Sequence, residues 1–286
     1  MKNSIKSILC ILIVSVFLPS CAFTPQQIVE RTLALTENST VRLINRNEKS
    51  RTVGTGFFVD TDKIATNVHV AARPGPIFVK LMDNETIWQV KGVTAFDVQS
   101  DLAILKITGE GIPLSLEDSN EVQKGESVLA LGFPGGKYKV TSGKVLGIRN
   151  SDKWIRTTAK LALGNSGGPL LNYKGSVIGV NTRDEKYSAA PSNILKELLS
   201  QSSSLEPLVQ WQKRNHVRAH AYQSEGENRY RNRDYTGAIE QFDKAIIHNP
   251  KFKLAWQWRG LAKKALGQLD ASEKDFTKAK ELKSEK

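Results

Sequence analysis

Ser166 lies in the run Gly164-Asn165-Ser166-Gly167-Gly168-Pro169, directly ahead of the apolar pair Leu170-Leu171. A serine hydroxyl is a poor nucleophile until a base takes its proton and nearby backbone N–H groups stabilise the oxyanion formed on the substrate. Gly164 can adopt the conformation that turns its N–H the same way as that of Ser166, and Gly167 and Gly168 leave no side chain where a substrate must approach. The competing reading is a glycine-rich hairpin turn with a solvated serine, and six residues do not choose between them. A base narrows the choice, because the strand-rich region contains a single histidine, His69, in Thr66-Asn67-Val68-His69-Val70. The carboxylate that orients such an imidazole is expected at the edge of an apolar strand. Asp101, which opens Leu102-Ala103-Ile104-Leu105, fits; Asp97, four residues earlier in a loop-like stretch, is the runner-up. A lone histidine after a strand, or an aspartate opening one, is ordinarily structural. Taken together, in the order His69, Asp101, Ser166, they supply a general base, its orienter and a nucleophile for attack on a carbonyl carbon.

Two sets of short strands must position these residues. The first set is Val41–Asn45, Gly54–Val59, Lys63–Thr66, Ile77–Met82, Thr86–Thr94 and Leu102–Ile107, rich in β-branched and aromatic residues and separated by Gly, Pro, Asn and Asp. After a stretch poor in such residues, the second set is Ser127–Phe133, Tyr138–Ile148, Lys153–Thr158, Pro169–Asn172, Ser176–Thr182 and Lys186–Ala190. Two sets of six predict two small antiparallel barrels packed together, their sheet edges removed by closure. His69 and Asp101 then belong to the first barrel and Ser166 to the second.

Past Pro191 the pattern changes. Ser192-Asn193 can cap a helix through Leu199, and Ser200–Ser204 reads as a polar linker. Beyond it Tyr222 and Trp256, Gly226 and Gly260, Phe242 and Phe276, and Ala245 and Ala279 each stand 34 positions apart. That period, with an aromatic, a glycine four later, then Phe and Ala, resembles the tetratricopeptide repeat over about Ala219–Leu282. Glu225, where the repeat has Leu, and Ser272, where it has Ala, depart from the pattern. Two units fall short of the usual minimum of about three, so Leu205–Val217 is expected to form a helix that covers an open end or docks on the barrels.

The 286 residues carry a formal charge of +12, are 40 % hydrophobic and 24 % charged, and allow one large or two modest domains. Basic residues are scattered, with no basic run interleaved with aromatics, which argues against nucleic acid. At the N-terminus Lys2 and Lys6 precede the apolar run Ile8–Leu18, long enough for a signal-peptide core and shorter than the ~20 residues that span a bilayer. Both cysteines, Cys10 and Cys21, fall in this region, so the body is free of disulfides. Leu18-Pro19-Ser20-Cys21 resembles a bacterial lipobox, with Pro19 a departure; the other reading is ordinary cleavage after Ala22. A diacylated Cys21 would hold a water-soluble body at a membrane surface of the cell envelope. The expected division is therefore signal peptide 1–21, N-terminal segment 22–40, double barrel 41–199, linker and helix 200–218, and repeats 219–282.

Seven segments occur in one family's order: Gly54–Phe57, Thr66–Val70, Ser100–Lys106, Gly132–Gly135, Val140–Gly143, Gly164–Leu170 and Ile178–Thr182. On them, residues 41–199 resemble the high-temperature-requirement (HtrA or Deg) branch of trypsin-like serine proteases. The resemblance implies an all-β double six-stranded barrel with endopeptidase activity on unfolded or flexible polypeptides; with the repeats read above, the expected protein is multidomain, the barrels followed by an all-α repeat array. It also implies an oxyanion hole from the N–H groups of Gly164 and Ser166, no cofactor or metal, and homo-oligomers as common in the family. Leu161, five before the nucleophile, falls where the wall of the primary specificity pocket is expected, beside an unusual Lys160. Val68 replaces a second Asn, Ser188-Ala189-Ala190-Pro191 replaces Phe-Ala-Ile-Pro, and the helical repeats occupy the place of a PDZ domain.

Two alternatives compete. Gly164–Gly168 also fits the G-x-S-x-G turn of α/β-hydrolases, but that fold needs a helix after the serine and a later histidine, whereas strand-like residues follow Ser166 and His216, His220 and His248 all lie in the helical region. A different class altogether is a catalytically idle or partner-activated lipoprotein adaptor acting through its repeats. His216 and His220, four apart, have metal-ligand spacing on one helix face, yet no third ligand is evident and a surface helix explains them.

Overall fold

A computed structural model describes residues 24–46, 51–82, 85–149, 153–182, 187–202 and 204–282. The signal peptide, Cys10 and Cys21 lie outside the described residues. Helix α1 (Pro25–Thr36) leads into six strands, β1 (Thr40–Arg46), β2 (Arg51–Asp60), β3 (Lys63–Asn67), β4 (Ile77–Lys80), β5 (Ile87–Asp97) and β6 (Leu102–Ile107), with the single-turn helix α2 (Val68–Ala71) after β3. They pair antiparallel in the ring β1-β2-β3-β6-β5-β4 and back to β1. A second ring, β7-β8-β9-β12-β11-β10, is closed by β7 (Ser127–Gly132), β8 (Lys139–Ile148), β9 (Ile155–Thr157), β10 (Pro169–Asn172), β11 (Val177–Thr182) and β12 (Ser188–Pro191). The twelve expected strands are all present, with ends shifted by a few residues. β5 runs on to Asp97, which is therefore a strand end and not a loop residue.

The alternation that predicts the strands also builds the cores. Ile64, Val79, Val93 and Leu105 fill the first barrel; Ala130, Val145, Ile155, Leu170 and Ile178 fill the second. Between the barrels Phe57, Leu102 and Ile104 meet Leu129, Leu131, Val177 and Val180, and Leu195 and Leu198 of α3 (Ser192–Gln201) seal that seam. Capping of α3 differs from expectation. The Ser192 hydroxyl donates to the Glu117 carbonyl, Asn193 Nδ2 donates to Asp118, and Pro191 occupies the N-cap. The helix also runs to Gln201, into the stretch read as linker.

Residues 205–217 are not one helix. Glu206–Pro207 forms a two-residue strand, β13, against Val93 and Gly92 of β5, and a single turn, α4 (Leu208–Trp211), follows. Pro207 has no N–H to donate, which suits a strand end and the N-cap of the turn that follows. Helices α5 (Asn215–Arg231), α6 (Tyr235–His248), α7 (Lys253–Ala265) and α8 (Leu269–Glu281) then form two hairpins. Each hairpin has the same internal contact. A Cβ on Gly226 would stand 2.5 Å from the Phe242 ring, and one on Gly260 2.9 Å from the Phe276 ring, so in both units glycine admits the partner helix's phenylalanine. The irregular Ser272 has a reason here: its hydroxyl donates to the Gly260 carbonyl at 2.8 Å. Among the described residues no helix is long and apolar enough to cross a membrane.

Candidate active site

The segment after β3 and the turn before β6 are knitted together by four hydrogen bonds. Asn67 Nδ2 and the Val68 N–H donate to the Asp101 carbonyl at 2.9 and 3.0 Å, while the His69 N–H donates to Asp101 Oδ1 at 2.9 Å. The fourth joins His69 Nδ1 to Asp101 Oδ2 at 2.5 Å. Asp101 has φ +55°, a left-handed conformation that costs a non-glycine residue roughly 1–2 kcal/mol. The bonds it receives offset that cost and aim its carboxylate at the imidazole. Thr182 Oγ1, at the end of β11, donates to Oδ2 from the second barrel at 3.3 Å. Asp97 instead caps its own turn, accepting from the N–H groups of Gln99 and Ser100.

Electrostatics follow from this geometry. Burial works against a charged His69, but the Asp101 charge and hydrogen bond outweigh it, and the His69 pKa is held above its ordinary value. Burial likewise opposes ionisation of Asp101; the charge of His69 and the bond to it prevail, and the carboxyl pKa lies below the usual range. The pair is thus built to favour an imidazolium beside a carboxylate.

Ser166 sits between β9 and β10 in a loop fixed from both barrels. Gly164 has φ +104°, which a side chain would strain, and a Cβ there would meet the Phe133 carbonyl oxygen at 2.3 Å. Thr55 of β2 clamps this loop. Its hydroxyl donates to the Gly164 carbonyl at 2.5 Å and accepts from the Phe133 N–H at 3.0 Å, and its own N–H donates to the Ser166 carbonyl at 2.9 Å. The N–H groups of Gly164 and Ser166 make no hydrogen bond among the described residues, which leaves both for a substrate oxygen. The Ser166 hydroxyl also has no partner there.

The reason for the two following glycines differs from expectation. Their missing side chains face protein backbone, Thr55 and Leu131 respectively, at 2.2 and 2.1 Å from a would-be Cβ, not an approaching substrate. Leu161 packs into the second barrel's core with Val122, Leu170 and Ile178, while Lys160 is exposed. His216 and His220 share a face of α5, but that face is turned to the barrel: His216 stacks on Phe96, and only 12 % of the His220 side chain is exposed. No cluster of three or more His, Cys, Asp or Glu that could hold a metal occurs among the described residues. Neither Thr55 nor Thr182 was singled out from the sequence, although both stand in segments quoted above.

Residues 54–180 match the family model of a trypsin-like peptidase domain. A probable periplasmic serine endoprotease, DegP-like, of Hahella chejuensis is 41 % identical over 101 residues, which is 34 % of this chain and 21 % of that protein. A similarly described protein of Ectopseudomonas mendocina is 40 % identical over 103 residues, 35 % of this chain and 21 % of its own. The matches thus span about a fifth of the length of these relatives. Among solved structures, one titled Deg5 superposes with a TM-score of 0.56 at 28 % identity, covering 62 % of this chain and 94 % of the other. The HtrA-type protease AlgW with tripeptide gives 0.54 at 27 % identity, covering 60 % and 62 %. Residues 54–180 are thus similar to a trypsin-like peptidase domain, the double barrel shares the fold of the Deg and HtrA-type structures, and a helical region follows it.

Proposed function

We propose that this chain is an exported serine endopeptidase acting on unfolded or flexible polypeptides. The observation that carries the reading is the part-buried His69–Asp101 pair, bonded at 2.5 Å and joined across the barrel seam to Thr182 of β11. In this mechanism Ser166 Oγ attacks the peptide carbonyl carbon as His69 Nε2 takes its proton. The N–H groups of Gly164 and Ser166 donate to the oxyanion, and Asp101 stabilises the imidazolium that forms. His69 then passes the proton to the leaving amine. Water, activated by the same imidazole, releases the acyl group and regenerates the Ser166 hydroxyl. The unpartnered hydroxyl suits a resting state in which the serine–imidazole bond tightens only with substrate present.

The helical hairpins read as two tetratricopeptide repeats that bind substrate or a protein partner, Leu161 as part of the pocket wall, and Cys21 as a lipid-bearing residue on the periplasmic side of the envelope. The relatives' description as periplasmic supports the location. The mechanism is tested by a serine-directed fluorophosphonate: an adduct mapped to Ser166, lost in Ser166→Ala and strongly slowed in His69→Ala, is expected. An adduct elsewhere, or none in the native chain, contradicts it. Lipid labelling retained by Cys21→Ser would contradict the anchor.

A further inference from the structure

Peptide hydrolysis as described needs only the two barrels, yet the helical region is fastened to the segment that carries His69. Gln212, buried, donates Nε2 to the carbonyls of Ala71, Arg73 and Gly75 at 3.0, 2.7 and 3.2 Å, and its Oε1 accepts from the Gly75 N–H. Trp211, fully buried, packs edge-on against Phe96. Arg73, just past α2, pairs with Glu225 of α5 at 3.2 Å. This docking brings His220 to the back of the hydrolytic pair, with Nδ1 3.8 Å from Asp101 Oδ1 and the ring held against Phe252 of the second hairpin, centroids 4.5 Å apart.

Asp101 has a definite gap at that point. Oδ2 accepts from His69 Nδ1 and Thr182 Oγ1, whereas among the described residues Oδ1 accepts only the His69 backbone N–H. An ionised carboxylate oxygen has room for about two donors. We propose that His220 is a positioning residue for the hydrolytic pair: its imidazole closes the open side of Asp101 against water and turns an N–H dipole toward Oδ1, so that α5 is a structural part of the active site. The proposal rests on the peptidase reading above.

A neutral ring suits this task. Burial pushes His220 down to about 4, so near neutrality it adds no cation to compete with His69 for the carboxylate. The other charged or titratable groups around the pair are Asp97 of β5, Arg73 beyond α2, and His216, Glu225 and Glu227 of α5. Arg73 is already engaged by Glu225, which leaves the imidazole of His220 as the group facing Oδ1 from the helical side.

The test compares His220→Met with His220→Gln in the full chain, since the two side chains are alike in shape and differ in the donor. Two readouts are taken: kcat and KM on an unfolded polypeptide, and the titration of the His69 imidazole followed by NMR. For His220→Met the expectation is a fall in kcat of about tenfold with KM within about twofold, and a rise in the His69 pKa, because Asp101 loses the facing N–H dipole and its charge falls more fully on His69. His220→Gln should recover most of both. Native kcat and an unmoved His69 titration in His220→Met would overturn the proposal, as would a loss that His220→Gln does not restore. If the wild type hydrolyses nothing while the His69 titration still depends on the donor at 220, the peptidase reading fails and the positioning role stands.

Discussion

At the scale of single residues, the loop proposed as the oxyanion site is held by a threonine from the other barrel. Thr55 Oγ1 satisfies both the Gly164 carbonyl and the Phe133 N–H, and no water-exposed route replaces it, since Thr55 is fully buried. Thr55→Val keeps the shape and removes the bonds. It should cost about 1–3 kcal/mol of stability, because the Phe133 N–H and the Gly164 carbonyl then keep only their 3.4 Å bond to each other, and lower kcat about tenfold while KM holds, because the loosened part is the loop proposed to receive the transition-state oxyanion. Steady-state kinetics with chemical denaturation checks this; an unchanged kcat would show that the loop keeps its conformation without the clamp. The contact between His69 and Asp101 was legible in the sequence because a single histidine among the strands leaves few candidate carboxylates to pair with it. Thr55 and Thr182 were not, since a threonine in a strand is ordinary β-sheet composition. Their roles arise from how the two barrels abut, which spacing along one chain does not encode.

At the scale of elements, α5 joins repeat-like packing to the candidate site, and its departures from the repeat pattern mark where. Glu225 stands where Leu is expected and instead reaches Arg73 of the barrel. His220 has an acid consequence. With a folded pKa of about 4 against an ordinary 6.5, the unfolded chain takes up the proton first as pH falls. Its neutral burial is therefore fully favourable above pH 6.5, and the contribution is lost toward pH 4, by up to about 3 kcal/mol. His69, whose pKa is raised, is protonated in both states across most of that window and adds little slope; the Asp101 contribution is lost at lower pH, from the ordinary carboxylate range down through its own depressed value. Urea unfolding at pH 7 and pH 4.5 should show wild type losing more stability than His220→Met. Equal losses would contradict the assigned burial. The surface-helix reading of His216 and His220 failed because four-residue spacing says that two side chains share a face and nothing about what that face meets.

At the scale of the whole molecule, alternation and turn residues revealed two sets of six strands, since each barrel's core is made locally by every second residue. The boundary to the helical region was less legible. Leu208, Trp211, Val217 and Ala221 lie in the same apolar cluster as Val41, Val79 and Val93 of the first barrel. The polar run around Ser200–Ser204 therefore separates sequence patterns without separating packing units. Truncation after Ser204 should expose that side of the first barrel and give a chain that binds hydrophobic dye, loses its cooperative thermal transition and loses hydrolysis. A truncated chain that melts like the full one and retains activity would show the helical region to be an independent appendage.

The account stands most directly on one measurement, digestion of an unfolded polypeptide such as casein by the full chain and by Ser166→Ala. Peptide-bond cleavage by the wild type, with turnover lowered by roughly four to six orders of magnitude in the variant, is the predicted result. Cleavage that survives Ser166→Ala would contradict the assignment of the nucleophile, and the absence of cleavage by either protein would favour a binding role for the whole chain.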